Sequence, residues 1–111
     1  MILKLSDSAK KDLQAISAYT IEHWGYEQED KYLDQIYSRF EATLADPSKS
    51  KERDELYAGA RSVTVEKHII FFKIQGDTLL VARILHQSMD FIRHLDGTHF
   101  EELWEILNLH K

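Results

Sequence analysis

Basic and imidazole side chains gather in the second half of the sequence, where they could act on a phosphodiester bond. Cleavage of RNA requires a base for the 2′-hydroxyl, an acid for the leaving oxygen and cations on the phosphate between them. The residue types that fit these roles are Arg61, Lys67, His68, Arg83, His86 and His94. We find no dense lysine cluster, however, and the sequence predicts neither a tyrosine nor a second basic residue beside His86. Arginines on a sheet also commonly pair with carboxylates, and a histidine at a strand end commonly bonds to backbone, so a nuclease is one hypothesis among others.

Metal or cofactor chemistry has less support in the sequence. The six histidines show no HxH or HExxH spacing, and cysteine is absent, which excludes thiolate ligands and disulfides. No GxGxxG or GxxxxGK[ST] phosphate loop occurs. We therefore expect no metal and no cofactor.

The overall composition is that of one globular domain whose partners are proteins. The 111 residues are 43% hydrophobic and 30% charged, and the formal net charge is −5. An acidic balance disfavours binding to nucleic acid by this chain alone, because such binding relies on clustered lysine and arginine. The start has too few apolar residues for a secretory signal, and no apolar run approaches membrane-spanning length. These features predict a cytoplasmic protein without a membrane segment.

The elements that must position these side chains begin with a strand and two helices. Ile2–Leu5 alternates as a strand does, and Ser6 or Asp7 stands where a helix N-cap belongs. Gly25 is placed to end the first helix, and Pro47 to end the second. The short connection predicts an antiparallel hairpin, with two apolar stripes: Ala9, Leu13, Ile16, Thr20 and Trp24 on the first helix, and Leu33, Ile36, Tyr37, Phe40 and Leu44 on the second. Trp24 is expected in the core.

The second half reads as a three-stranded antiparallel meander after a polar surface loop, "PSKSKERDE". Val63 and Val65 mark the first strand, Ile69–Ile74 the central strand and Thr78–Leu85 the returning strand after a hairpin turn. This order predicts an α+β domain with the helices on one sheet face.

The meander also makes two predictions about sheet faces. Arg61 and Arg83 should lie on outer strands and could share one face of the sheet. Phe71 and Phe72 should point to opposite faces, so the face without helices needs a second cover. The C-terminal segment Thr98–Lys111 could supply it, since Phe100, Leu103, Trp104 and Leu107 share one side of a predicted amphipathic helix. We divide the chain into a domain over 1–96 and a helical extension of that domain over 97–111.

The ordered set of residues resembles the RelE/ParE toxin–antitoxin superfamily, and within it the ParE type. The resemblance covers about residues 2–95, and its most specific parts are Trp24-Gly25 and Arg83–Asp90. It rests on Leu5-Ser6, Ala9, Asp12-Leu13, Ile16, Tyr19-Thr20, Trp24-Gly25, Tyr32-Leu33, Pro47, Leu56, Gly59, Arg61-Ser62, "HIIFFKI" and "RILHQSMD".

This resemblance implies a helical hairpin against a mainly antiparallel sheet, inhibition of DNA gyrase by protein contact rather than catalysis, and neutralisation by a ParD-like antitoxin. A toxin–antitoxin hetero-oligomer or a homodimer would fit. Under this interpretation Arg61, Arg83, His86, Asp90 and Arg93 are candidates for contact with the antitoxin or the target. The family's RelE branch leaves an mRNA endoribonuclease that acts on the ribosome as the alternative.

Two departures from the family pattern leave a third alternative. The loop "PSKSKERDE" lacks the glycine that often follows its proline, and the segment 97–111 extends past the usual end of the family. If that segment covers the binding face, the chain would be a non-toxic interaction module.

Overall fold

A helical hairpin packs on one face of a β-sheet in a computed structural model, which describes residues 2–89. The predicted α+β class is confirmed. The elements in chain order are β1 (Ile2–Leu5), α1 (Asp7–Trp24), α2 (Tyr26–Ala45), a 3₁₀ turn (Pro47–Lys49), β2 (Lys51–Glu52), β3 (Arg61–Val65), β4 (His68–Gln75) and β5 (Thr78–His86).

Both ends of α1 form as the sequence predicts. Ser6 is the N-cap, and its hydroxyl accepts a hydrogen bond from the N–H of Ala9 at 2.9 Å. Gly25 ends the helix with φ of 87° and ψ of 172°, and its N–H bonds to the carbonyl of Ile21 at 2.9 Å. This backbone region is accessible almost only to glycine. The second helix starts at the next residue, which makes the turn of the hairpin very tight.

The placement of Trp24 in the core is wrong, because its side chain is 71% exposed. Ala9, Ile16 and Thr20 on the same stripe are buried. Each four-residue step along a helix turns the side chain about 40° beyond a full circle. The step from Thr20 therefore carries Trp24 to the edge of the stripe, in the last turn of the helix.

The predicted meander is the inner part of a five-stranded sheet with the order β1-β5-β4-β3-β2. β1 pairs in parallel with β5, and the other neighbours are antiparallel. The prediction that Arg61 and Arg83 lie on outer strands is therefore wrong, since β2 covers the edge of β3 and β1 covers the edge of β5. The residues Lys51–Glu52 pair with β3 inside the segment predicted as a loop. Two polar residues are too few to show a strand pattern.

Each sheet face carries its own hydrophobic cluster, and Phe71 and Phe72 point to opposite faces as predicted. The helices cover the cluster that contains Phe72. On the other face, Leu56 and Tyr57 from the segment between β2 and β3 pack against the cluster that contains Phe71, together with Ile69 and Met89. The second cover therefore comes at least in part from that segment.

Some predictions fall on residues outside the described range. The helix over Thr98–Lys111, the domain boundary at 96/97 and the sites Asp90 and Arg93 all lie beyond Met89. Within residues 2–89, neither helix is long and apolar enough to cross a membrane.

Candidate functional site

A β-bulge in β5 sets the position of Arg83. Phe72 is opposite Val81 and Phe71 is opposite Arg83, so Ala82 is an extra residue in the ladder. Bulges re-aim the side chains beside them, because the extra residue breaks the two-residue alternation. Arg83 meets α1 on the helix side of the sheet, and Ile84 belongs to the cluster on that same side, so the alternation breaks between these two residues.

Asp12 on α1 binds Arg83 and the backbone of β5 at once. Its Oδ2 accepts hydrogen bonds from Nε of Arg83 at 2.8 Å and from the N–H of Ile84 at 2.9 Å, and its Oδ1 accepts from Nη2 of Arg83 at 2.9 Å. Only 16% of the Arg83 side chain and 13% of the Asp12 side chain are exposed. The hydrogen bonds with Asp12 raise the pKa of Arg83 above its ordinary value. A guanidinium in such a bidentate pair is held firmly in place.

Ser6 forms hydrogen bonds with the backbone of the bulge at Val81 and Ala82. Its hydroxyl donates to the carbonyl of Ala82 at 2.6 Å, and its N–H donates to the carbonyl of Val81 at 3.0 Å. The start of α1 is therefore tied to β5 by Ser6 and Asp12. We call these two residues with Arg83 the bulge clamp.

Beside the bulge clamp, Tyr32, His68 and His86 form a polar cluster. His68 and His86 face each other across β4 and β5, with ring centroids 5.3 Å apart. The hydroxyl of Tyr32 on α2 lies 2.5 Å from Nδ1 of His68 and 3.3 Å from the carbonyl of Val65. The expectation that His86 has no tyrosine or basic neighbour is wrong, because strand pairing brings His68 beside it and α2 adds Tyr32 behind His68.

The surroundings of Tyr32 and His68 keep these two side chains uncharged near neutral pH. Burial, followed by the neighbouring His86, lowers the pKa of His68 to about 4, while Asp12 acts in the opposite direction. Burial raises the pKa of Tyr32. Neutral His68 can therefore accept the proton of the Tyr32 hydroxyl at Nδ1, which places its own proton on Nε2.

His86 is half-buried and bonded locally, which agrees with the expected backbone bond at a strand end. The N–H of Ser88 donates to Nδ1 of His86 at 3.1 Å, and the Ser88 hydroxyl lies 2.7 Å from the same atom. His86 thereby closes the turn after β5 while its ring packs against His68.

Arg61 lies away from this cluster. It is opposite Phe72, at the other end of β3 from the Val65–His68 pair. Its guanidinium binds the segment after α2, with Nη2 3.0 Å from the carbonyl of Ser50 and Nη1 3.7 Å from Glu52. Of the basic and imidazole residues that fit a nuclease, His68 and His86 are in contact. Arg83 is paired with Asp12 nearby, and Arg61 lies away from both histidines. In the described chain, no three His, Asp or Glu residues are grouped to hold a metal ion.

A groove of about 1010 Å³ lies over this cluster. Its walls come from both helices, the turn between β3 and β4, and the end of β5. Tyr19 and Trp24 contribute to the lining, and both are largely exposed. Residues along its length include Tyr19, Trp24, Tyr32, His68, His86 and Met89.

Sequence reasoning named Arg83 and His86 but not the roles of Ser6, Asp12 and Tyr32 in placing them. One local signal existed for Arg83. A charged residue inside the apolar run "LLVARIL" requires a partner if it is buried. Nothing local identified Asp12 as that partner, because the two residues are 71 positions apart.

Comparisons with known proteins agree on one family. A model of the family described as "ParE toxin of type II toxin-antitoxin system, parDE" matches residues 3–91. The protein named Toxin ParE1 of Mycobacterium tuberculosis is 33% identical over 92 residues, which cover 82% of this chain and 94% of that protein. Toxin ParE1 of Caulobacter vibrioides is also 33% identical, with 83% and 95% covered. The solved structure titled "Chromosomal ParDE TA system from P. aeruginosa" shares the fold with a TM-score of 0.63 at 24% identity, covering 78% of this chain and 95% of that one.

Proposed function

The chain belongs to the ParE toxin family of type II toxin–antitoxin systems, and we propose that it inhibits DNA gyrase by contact and is neutralised by a ParD-like antitoxin. This function needs a binding surface and no reaction at the chain's own side chains. It would be exerted in the cytoplasm, where gyrase and DNA meet.

The groove is the observation that carries this proposal. Its lining includes the exposed rings of Tyr19 and Trp24 together with Met89, and such aromatic and sulfur-containing side chains are typical of protein interfaces. The nearest guanidinium, that of Arg83, is already paired with Asp12. These features favour contact with a polypeptide over cleavage of a phosphodiester.

The groove also fits a flexible antitoxin segment. It runs from the helical hairpin to the end of β5, so an extended or helical peptide can contact both layers of the fold at once. Apolar anchors at helical spacing would fill such a groove. His86 lies along it, whereas Arg61 is placed to contact a partner only at the opposite end of the sheet.

The test of this proposal is a supercoiling assay with purified chain, gyrase, plasmid and ATP. We expect loss of supercoiling, accumulation of cleaved plasmid after detergent, and reversal by the cognate antitoxin. A chain that binds the antitoxin but leaves gyrase unaffected would contradict gyrase as the target and retain the antitoxin as partner.

One observation favours ribosome-dependent mRNA cleavage as a second candidate. Tyr32, His68 and His86 meet in the groove, and an imidazole with a perturbed pKa is a frequent sign of acid–base chemistry. Primer extension on mRNA from translating extracts measures cleavage directly. H68Q and H86Q should abolish cleavage if this candidate is correct, and should leave growth inhibition largely intact if the toxin acts by contact.

A further inference from the structure

The turn between α1 and α2 presents several large rings to solvent. Tyr19 is 60% exposed, Trp24 71% and Tyr26 75%. Trp and Tyr are the residues in which binding energy most often concentrates, because each brings a large rigid surface at low entropic cost. We call these three residues, together with His23, the hairpin-tip patch.

Two members of the hairpin-tip patch are fixed before any partner arrives. The rings of Tyr19 and His23 stack with centroids 4.0 Å apart and planes 24° apart. Nδ1 of His23 lies 2.9 Å from the carbonyl of Tyr19, and because a carbonyl only accepts, Nδ1 carries the proton. In the neutral ring, Nε2 is therefore a hydrogen-bond acceptor. A pre-organised surface loses less entropy when it binds.

The segment that carries the hairpin-tip patch is acidic. The stretch from Tyr19 to Asp30 contains four carboxylates and neither lysine nor arginine. The carboxylates are Glu22, Glu27, Glu29 and Asp30. Of these, Glu27 lies 3.7 Å from Lys31 in an exposed pair. Aromatic faces are electron-rich, so rings among carboxylates favour a planar cation, and a guanidinium is the protein group that best combines both contacts.

We propose that the hairpin-tip patch binds an arginine-bearing segment of the antitoxin, with a guanidinium against Trp24. This inference rests on the proposed function, because it assigns part of the antitoxin to this surface. Tyr19 and Trp24 also line the groove, so one antitoxin segment can continue from the patch into the groove. In this arrangement a cation stacks on the Trp24 ring, and the surrounding carboxylates attract it.

The first experiment measures binding kinetics of purified cognate antitoxin on the immobilised chain. We expect W24A to weaken binding about tenfold or more, mainly through faster dissociation, because an anchor at the centre of an interface controls how long the complex lasts. The control is Y37A, since Tyr37 is a partly exposed aromatic residue on α2 outside the groove. It should leave the binding constant within about twofold of wild type.

The second experiment removes charge without removing a ring. E22Q/D30N should slow association several-fold at low salt and reduce the dependence of association on NaCl, because charges at the rim of an interface act mainly on the encounter. We leave Glu27 unchanged because it has a partner in Lys31. The matched control is D34N/E41Q, which removes the same charge from exposed positions farther along α2.

The outcomes separate this inference from the proposed function. If the antitoxin binds wild type and W24A equally, the hairpin-tip patch is not its site, while the proposed function stands. If the antitoxin does not bind wild type, both fail.

A W104F chain reports on Trp24 alone by fluorescence, since the sequence has two tryptophans. Protection of Trp24 fluorescence from acrylamide quenching in the free chain would overturn the inference. If this protection increases with protein concentration, a second copy of the chain covers Trp24. If it disappears when residues 98–111 are removed, the chain's own C-terminal segment covers Trp24.

Discussion

Arg83 shows how the environment of a residue decides its role. The same guanidinium that suggests phosphate binding in a sequence is held by two hydrogen bonds to Asp12 in the fold. A charge with so little exposure depends on its partner, and the partner depends on it. We propose that its contribution to binding is indirect, because it holds α1 against β5 beside the groove.

Breaking this pair should destabilise the fold strongly. D12N should lower the free energy of unfolding by about 2–3 kcal/mol, because the carboxylate is replaced while the guanidinium stays mostly buried. In a double-mutant cycle of D12N and R83Q, the loss of unfolding free energy in the double variant should be smaller than the sum of the two single losses by at least about 1 kcal/mol. Urea denaturation measures all four chains. E52Q is the control, since the Arg61–Glu52 pair is more exposed and should contribute less than about 1 kcal/mol.

His68 should make stability depend on pH in a defined window. Its pKa is about 4 in the fold and about 6.5 in an unfolded chain, so between these values the unfolded chain binds a proton that the native chain does not. Its contribution to stability is therefore complete above pH 6.5 and is lost as the pH falls through 4. We expect a loss of about 1–2 kcal/mol after allowance for solvent screening.

Urea denaturation of wild type and H68Q at pH 7.5, 5.5 and 4.5 isolates this contribution. Carboxylates titrate in both chains, so the difference between the two chains reports on His68. A difference that stays constant over the three pH values would show that the protonation of His68 is not linked to folding.

At the scale of elements, the turn at Gly25 fixes how the helices meet. Its φ of 87° and ψ of 172° fall in a region that other residues reach at a cost of about 1–3 kcal/mol. G25A should therefore destabilise by that amount through backbone strain alone, because no atom lies within 4 Å of an added Cβ. Gly76 offers a matched comparison, with open space and φ of 62°. G76A should cost about 1 kcal/mol, and a G25A chain as stable as wild type in urea denaturation would contradict the assignment of strain to Gly25.

Local patterns predicted the elements that local physics controls. Ser6 as N-cap, Gly25 as the helix end and the opposite directions of Phe71 and Phe72 all follow from rules that act within a few residues. The parallel pairing of β1 with β5 and the bulge at Ala82 did not follow, because they arise from contacts between distant parts of the chain. The sequence likewise indicated Arg83 as a candidate for phosphate binding but could not predict its pairing with Asp12, because the two residues are 71 positions apart.

At the scale of the whole molecule, the C-terminal residues after 91 lie outside the match to the family model. The family model stops at residue 91, and 92 residues of this chain account for 94% of the Mycobacterium tuberculosis relative. The match to the family model thus does not include the segment Thr98–Lys111. We propose that this segment is an addition to the toxin rather than a part of its active surface.

Deletion of Thr98–Lys111 tests that proposal in growing cells. We expect the full chain and the shortened chain to inhibit growth at induction levels within about twofold, because the bulge clamp and the described residues that line the groove all lie before 90. Immunoblots would confirm equal amounts of the two chains. Growth inhibition by the shortened chain alone would instead identify the full chain as a self-covered interaction module.

The bulge clamp has a consequence for how the toxin is made. Ser6 and Ala82 are 76 positions apart, and β1 pairs only with β5 among the described strands. Contacts so distant in sequence form late, and a chain leaving the ribosome carries its N-terminal strand and helix well before β5 is synthesised. The first elements to be translated must therefore wait for the last described strand before α1 can close on the sheet. A message cut short before the codon for residue 83 would still encode the residues that pair with β1, Thr78–Val81, but the chain would lack Arg83 and the end of β5 that lines the groove. We therefore expect such a chain not to be toxic.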